Sequence, residues 1–236
     1  MVGMMREHSM TTVVKKGLCY FAGLLLIAFG VNISKTGGLG ISPVSATPFA
    51  IETIWGVELG RATIGIYIVL VLIQIALLRR KFRPIQLLQI LITFAFGFFI
   101  TFTSRKYFLL SWLPTPGNYA AALSYTLFSA VIIGIGVSLY LIPKWIPLPA
   151  EGLAVAMTQM SGKALSIHDA KNFVDISLVL IAAALSLAMT GELVAVREGT
   201  VIVAVLVGRV VGIGNRIYKE RIVRWINGGS SSAERP

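Results

Sequence analysis

Cysteine is nearly absent from this chain. Cys19 is the only one, so no disulfide can form within the chain and no cysteine cluster can hold a metal; it reads as a small apolar helix residue. Histidine is almost as scarce: His8 and His168 lie far apart, and no HExxH pair, GxSxG turn or Walker loop occurs. His168 beside Asp169 reads as a solvated pair in a polar link. These absences remove the common hydrolytic and nucleotide-driven chemistries, so the expectation is a protein that is not an enzyme and uses no cofactor and no metal. Charge is sparse as well, at 13% of 236 residues against 56% hydrophobic, far from the balance of a soluble domain. Acidic residues are the scarcer sign, 10 against 21 basic, for a formal charge of +11. Nucleic-acid binding would need a soluble basic domain, and no polar stretch is long enough to supply one.

What the chain has instead is long apolar runs. Residues 17–34, 63–78, 85–103, 119–143, 172–190 and 199–217 each approach the roughly 20 residues that cross a bilayer. Two further apolar segments, 43–56 and 149–162, are too short to cross and open on Pro43 and Pro149. The expected fold is therefore an all-α polytopic membrane protein with six transmembrane helices and two short re-entrant half-helices. An interfacial helix would carry a basic polar face, whereas 39–51 and 152–162 hold no charged residue, and Glu52 ends the first run near the surface.

The chain also repeats itself. Gly30-Val31, Pro43, Ala50 and Gly56 recur at one constant offset as Gly136-Val137, Pro149, Ala156 and Gly162. A two-residue shift then aligns Ile66–Ile73 with Val174–Ile181, and Gly97, Arg105 and Tyr107 match Gly208, Arg216 and Tyr218. Each unit holds three crossings, so the second starts from the opposite side and the two structural repeats are inverted, as in many transporters. The reading divides the chain into an N-terminal segment (1–16), a first repeat (17–108), an extracytoplasmic linker (109–118), a second repeat (119–219) and a partly disordered tail (220–236).

Most of the basic residues fall on one side of such a bundle: Lys15 and Lys16, Arg79 to Arg83, Lys144, Lys163 and Lys171, and the run after Arg216. The positive-inside rule then puts both termini of this multi-pass protein in the cytoplasm. The stretch after Lys16 lacks a small-x-small cleavage site and reads as a retained first span.

Candidate site residues follow from the half-helices. Ser42-Pro43 reads as an N-cap hydroxyl and a proline at the first helical position, preceded by the hinge residues Gly37, Gly38 and Gly40. Pro147 and Pro149 do the same for the second segment, followed by Glu151. Two helix starts facing each other near mid-membrane would present unpaired N–H groups to an anion or polar ligand. Ser42, Ser45, Thr47, Glu151, Thr158, Gln159 and Arg209 are the expected substrate-binding residues, and Glu151 and Asp175 the expected coupling carboxylates. Arg209 stands midway along the last apolar run, where a charge costs about 2.5–3.5 kcal/mol unless paired or wetted. Several of these hydroxyls are equally suited to bonding their own helix backbone.

Gly30-Val31 through Gly38-Leu39-Gly40-Ile41-Ser42-Pro43, with the link Ser166-Ile167-His168-Asp169-Ala170-Lys171 leading into an apolar span, resembles the bacterial YczE/YitT-type integral membrane proteins. The Gly-Pro-Trp-Asp-like stretch frequent in that family is Ser42-Pro43-Val44-Ser45 here, so no role of its tryptophan or aspartate carries over. The resemblance implies a bacterial inner-membrane protein and does not specify a substrate. Three functions compete: a small secondary transporter for a polar, anionic or zwitterionic solute; a channel or facilitated-diffusion pore on the same scaffold; and a non-transport regulatory or scaffolding membrane protein. Membrane lipid and a small molecule or ion are the expected partners, without nucleic acid, and pairing as a homodimer stays open.

Overall fold

The computed structural model describes residues 2–106, 110–162 and 164–227; Tyr107, Lys163 and the tail from Gly228 lie outside it. Among the described residues the chain is helical without strands, in the order α1 (Val2–Gly37), α2 (Pro43–Trp55), α3 (Leu59–Leu78), α4 (Leu88–Thr103), α5 (Tyr119–Leu141), α6 (Pro149–Met160), α7 (Ile167–Thr190), α8 (Glu198–Ile217) and α9 (Lys219–Ile226). Six segments among the described residues are long and apolar enough to cross a membrane: Met10–Gly37, Leu59–Lys81, Pro84–Thr103, Tyr119–Leu141, Ile167–Thr190 and Glu198–Ile217. The two short ones, α2 and α6, sit where the proline-opened segments were expected.

Boundaries differ from expectation in three places. α1 runs without a break from Val2, so the helix of the first span begins well before residue 17. α7 begins five residues before the apolar run, because Ser166 caps it by accepting from the Asp169 N–H at 3.1 Å. The start of the expected tail is helix α9, whose Ile222 and Ile226 pack with Cys19 and Ile142.

Glycines set the closest approaches. A Cβ on Gly23 would meet the Tyr140 nitrogen at 2.5 Å, and one on Gly136 the Gly23 oxygen at 2.8 Å, so α1 and α5 cross backbone to backbone. Gly60 and Gly97 do the same for α3 and α4. The core includes Leu24, Ala28, Val31, Ala46, Tyr67, Phe96, Ala130 and Ala150.

The packing is doubled in pattern. α1 lies on α5; α4 rests on α1 as α8 rests on α5. α2 packs on α3 and α7, and α6 packs on the same two helices. One correspondence fails: α3 packs along α4, whereas α7 and α8 share no comparable contact, and α8 leans on α2.

Candidate functional site

The second short helix begins with an extended Leu148 and with Pro149 at its first position. Proline has no N–H to satisfy and a fixed φ, so a helix can start here inside an apolar region. From α3, the fully buried Gln74 donates to the Pro149 carbonyl and to Gln89 Oε1 of α4, each at 3.1 Å. Gly152 allows this: a Cβ there would meet Gln89 Nε2 at 2.7 Å and Gln74 Oε1 at 2.8 Å. Two buried amides are thereby held against the first turn of α6, and Gln74 Oε1 is left without a partner.

On the other side of that turn, Glu151 faces α7. Lys171 Nζ lies 3.7 Å from Glu151 Oε1 and 2.5 Å from Asp175 Oδ1 one turn along its own helix. Two carboxylates thus share one ammonium, and Glu151 Oε2 has no hydrogen-bond partner. All three side chains are about a quarter exposed (25–26%), although they stand within or beside a span. Three tyrosines surround the cluster. Tyr67 is within electrostatic reach of both carboxylates, the buried Tyr140 hydroxyl interacts with Glu151 yet has no well-formed hydrogen bond, and Tyr20 donates to the Ile146 carbonyl at 2.6 Å.

A cleft of about 750 Å³ opens beside the α6 start. Its lining includes Tyr20, Gln86, Gln89, Trp145, Gly152 and Gln159, with Lys81, Arg83 and Lys144 among them and no carboxylate. A smaller cavity of about 290 Å³ lies at the opposite ends of α3 and α4, around Asn32, Lys35, Glu52, Glu58 and Arg105. There Lys35 pairs with Glu52 at 2.6 Å, and Asn32 donates to Thr103 Oγ1 and the Ile100 carbonyl.

The expected residues divide clearly. Glu151 and Asp175 do come together, but through Lys171 and not through Arg209. Arg209 is exposed midway along α8 and pairs with none of the described carboxylates, so its expected convergence with them is corrected. Ser42 does not cap α2 through its side chain; its hydroxyl donates to Ser45 Oγ at 3.0 Å. Thr47 donates to the Leu178 carbonyl at 2.6 Å, and Thr158 to its own helix at Ala154. Gln159 is exposed at the cleft. Gly38 (φ 75°) and Gly40 (φ 103°) take left-handed conformations after Gly37 ends α1, while Pro43 and Pro149 open their helices and Pro147 lies in the link before α6.

Lys171, Gln74, Gln89 and the tyrosines were missed. Lys171 was read as one more basic residue of a cytoplasmic link, although its spacing of four from Asp175 was the signal of a helical ion pair. The glutamines gave none, since amides inside apolar runs declare no partner in advance.

The chain is 30% identical over 144 residues to the uncharacterized membrane protein YczE of Bacillus subtilis, a match covering 61% of this chain and 63% of that protein. The match thus spans slightly under two thirds of that relative's length. No solved structure matches the chain. A family model described as a family of unknown function, DUF6198, matches residues 14–216, nearly the whole helical body, and the chain belongs to that family.

Proposed function

We propose that this protein is a small secondary transporter that carries a polar, anionic or zwitterionic solute across the bacterial inner membrane. The observation that carries the reading is the partly exposed Glu151–Lys171–Asp175 cluster beside a helix that starts inside the bundle. Intramembrane charges cost several kcal/mol and persist where they serve a solute or ion path. With two carboxylates and one ammonium, the cluster has an acceptor to spare for a proton or a monovalent cation. The basic cleft lining and the dipole at the α6 start favour an anionic group on the solute.

The architecture supports the same reading. In the doubled packing, α1, α2, α3 and α4 correspond to α5, α6, α7 and α8, as two inverted repeats would. Thr47 reaches the Leu178 carbonyl about 16 Å along α7 from its start, a depth near mid-membrane, which supports a re-entrant α2. The distribution of basic residues favours cytoplasmic termini, and the 750 Å³ cleft then opens to the cytoplasm.

The test is reconstitution into liposomes enclosing a pH-sensitive dye, with amino acids, carboxylates and phosphate offered in turn. Proton movement driven by one solute class, lost in Glu151→Gln and in Lys171→Gln, is the expected result. A flux equal in wild type and both variants removes the cluster from the transport path. Solute equilibration without accumulation, whatever the gradient, identifies a pore.

A further inference from the structure

The exception to the doubled packing is itself ordered. Within the first repeat α4 packs along α3; within the second, α8 stands away from α7 and leans on α2. Aligning the repeats on Ile66 with Val174 and on Gly97 with Gly208 shows what is missing. Gly97 meets Gly60 and Ile64 of α3, and Phe96 stacks on Tyr67 at 5.9 Å. Their counterparts are Gly208 and Val207 on α8, and His168, Asn172 and Asp175 on α7. Gly208 and Gly212 have open space where a Cβ would stand, and His168 and Asn172 are exposed. The residues for the second contact are present, yet α7 and α8 share no packing comparable to that of α3 on α4.

The clefts show the reciprocal asymmetry. Gln86, Gln89, Trp145 and Pro147 line the 750 Å³ cleft, and the alignment pairs them with Arg197, Thr200, Leu39 and Ile41. In that second set the space is closed. Gly199 donates its N–H to the Leu39 carbonyl at 2.7 Å, Arg197 Nη1 donates to the Gly38 carbonyl at 3.1 Å, and Leu39, Ile41 and Thr200 are buried. One copy of the cleft is open and its copy on the other side is sealed.

We propose that the structure is the cytoplasm-open member of two conformers, exchanged when α8 swings from α2 onto α7 while α4 leaves α3. The swing breaks the seal of Gly38–Ile41 against Arg197–Thr200 and opens the outer cleft; the release of α4 closes the inner one. The inference rests on the transporter reading and gives it a moving part. Each half of the molecule serves as the template for the other half's second state, so no fold beyond those already present is required.

Cysteine pairs in a Cys19→Ser background test it. Asn172→Cys with Gly208→Cys reports the absent contact, and Ile64→Cys with Gly97→Cys the present one. Oxidation is read in membrane vesicles after cleavage at an inserted protease site, beside Glu192 in the turn between α7 and α8 for the first pair and beside Arg80 in the link between α3 and α4 for the second. The expected result is crosslinking of both pairs, with Arg197→Gln, which loosens the seal, raising the first several-fold and lowering the second. As a measurement independent of those pairs, Leu39→Cys should gain labelling by an impermeant maleimide in the Arg197→Gln background. If the Asn172/Gly208 pair stays uncrosslinked and Leu39→Cys stays unlabelled while Ile64/Gly97 crosslinks, the exchange is overturned. Solute flux persisting in that case leaves a fixed path through the membrane, and so separates failure of the exchange from failure of the transport reading.

Discussion

At the scale of single residues, the Glu151–Lys171–Asp175 cluster determines what substitution can do. Removing Lys171 leaves two carboxylates facing each other in a poorly solvated place. Removing one carboxylate leaves a matched pair. Lys171→Met is therefore expected to lower stability by roughly 2–3 kcal/mol after allowing for partial wetting, read as a lower thermal midpoint in detergent. Glu151→Gln should leave that midpoint near wild type while removing any proton-coupled flux. Arg209 calls for the opposite expectation: exposed at mid-helix and unpaired with a described carboxylate, it contributes nothing to the cluster, so Arg209→Leu should retain flux and be neutral or stabilising in lipid. Sequence alone exposed Glu151, Asp175 and Arg209 as charges in apolar company. It could not say which way each faced, because a helix that is apolar all round carries no azimuth of its own.

At the scale of elements, the legible features were those with local causes. Pro43 and Pro149 open helices wherever they stand, and span lengths follow from the bilayer, so the six long and two short helices were readable. Close helix contact was readable only in part: Gly30 and Gly136 stood out as repeated glycines, but the crossing also needs Gly23, whose importance appears only when Tyr140 is found against it. Gly136→Ala places a methyl 2.8 Å from the Gly23 oxygen and should cost about 1–3 kcal/mol, measured by denaturation in mixed micelles. α9 was hidden because eight residues after the last span, all basic or apolar but for Glu220, look like a tail. Its apolar face covers Cys19, with Lys15 donating to the Trp225 carbonyl at 2.8 Å. As the only thiol, Cys19 makes the docking measurable: maleimide should label it slowly in wild type and much faster in Ile222→Ser/Ile226→Ser. Equal rates would mean that α9 does not cover it.

At the scale of the whole molecule, two glycines that correspond in the repeat sit in unlike surroundings. Gly97 is wedged against Ile64 and the Gly60 carbonyl, while Gly208 faces open space. In a static protein, a large side chain would be harmful at the first and harmless at the second by every measure. If the halves exchange conformations, the two properties separate. Gly97→Leu should lower the thermal midpoint because it cannot fit between α3 and α4 as they stand. Gly208→Leu should leave the midpoint unchanged, because nothing touches it, and yet stop transport by keeping α8 from seating on α7. A stability measurement and a flux measurement on the same two variants distinguish a molecule that needs both arrangements from one that needs only the arrangement seen. Gly208→Leu with normal stability and normal flux would assign the asymmetry of the halves to divergence of the repeats.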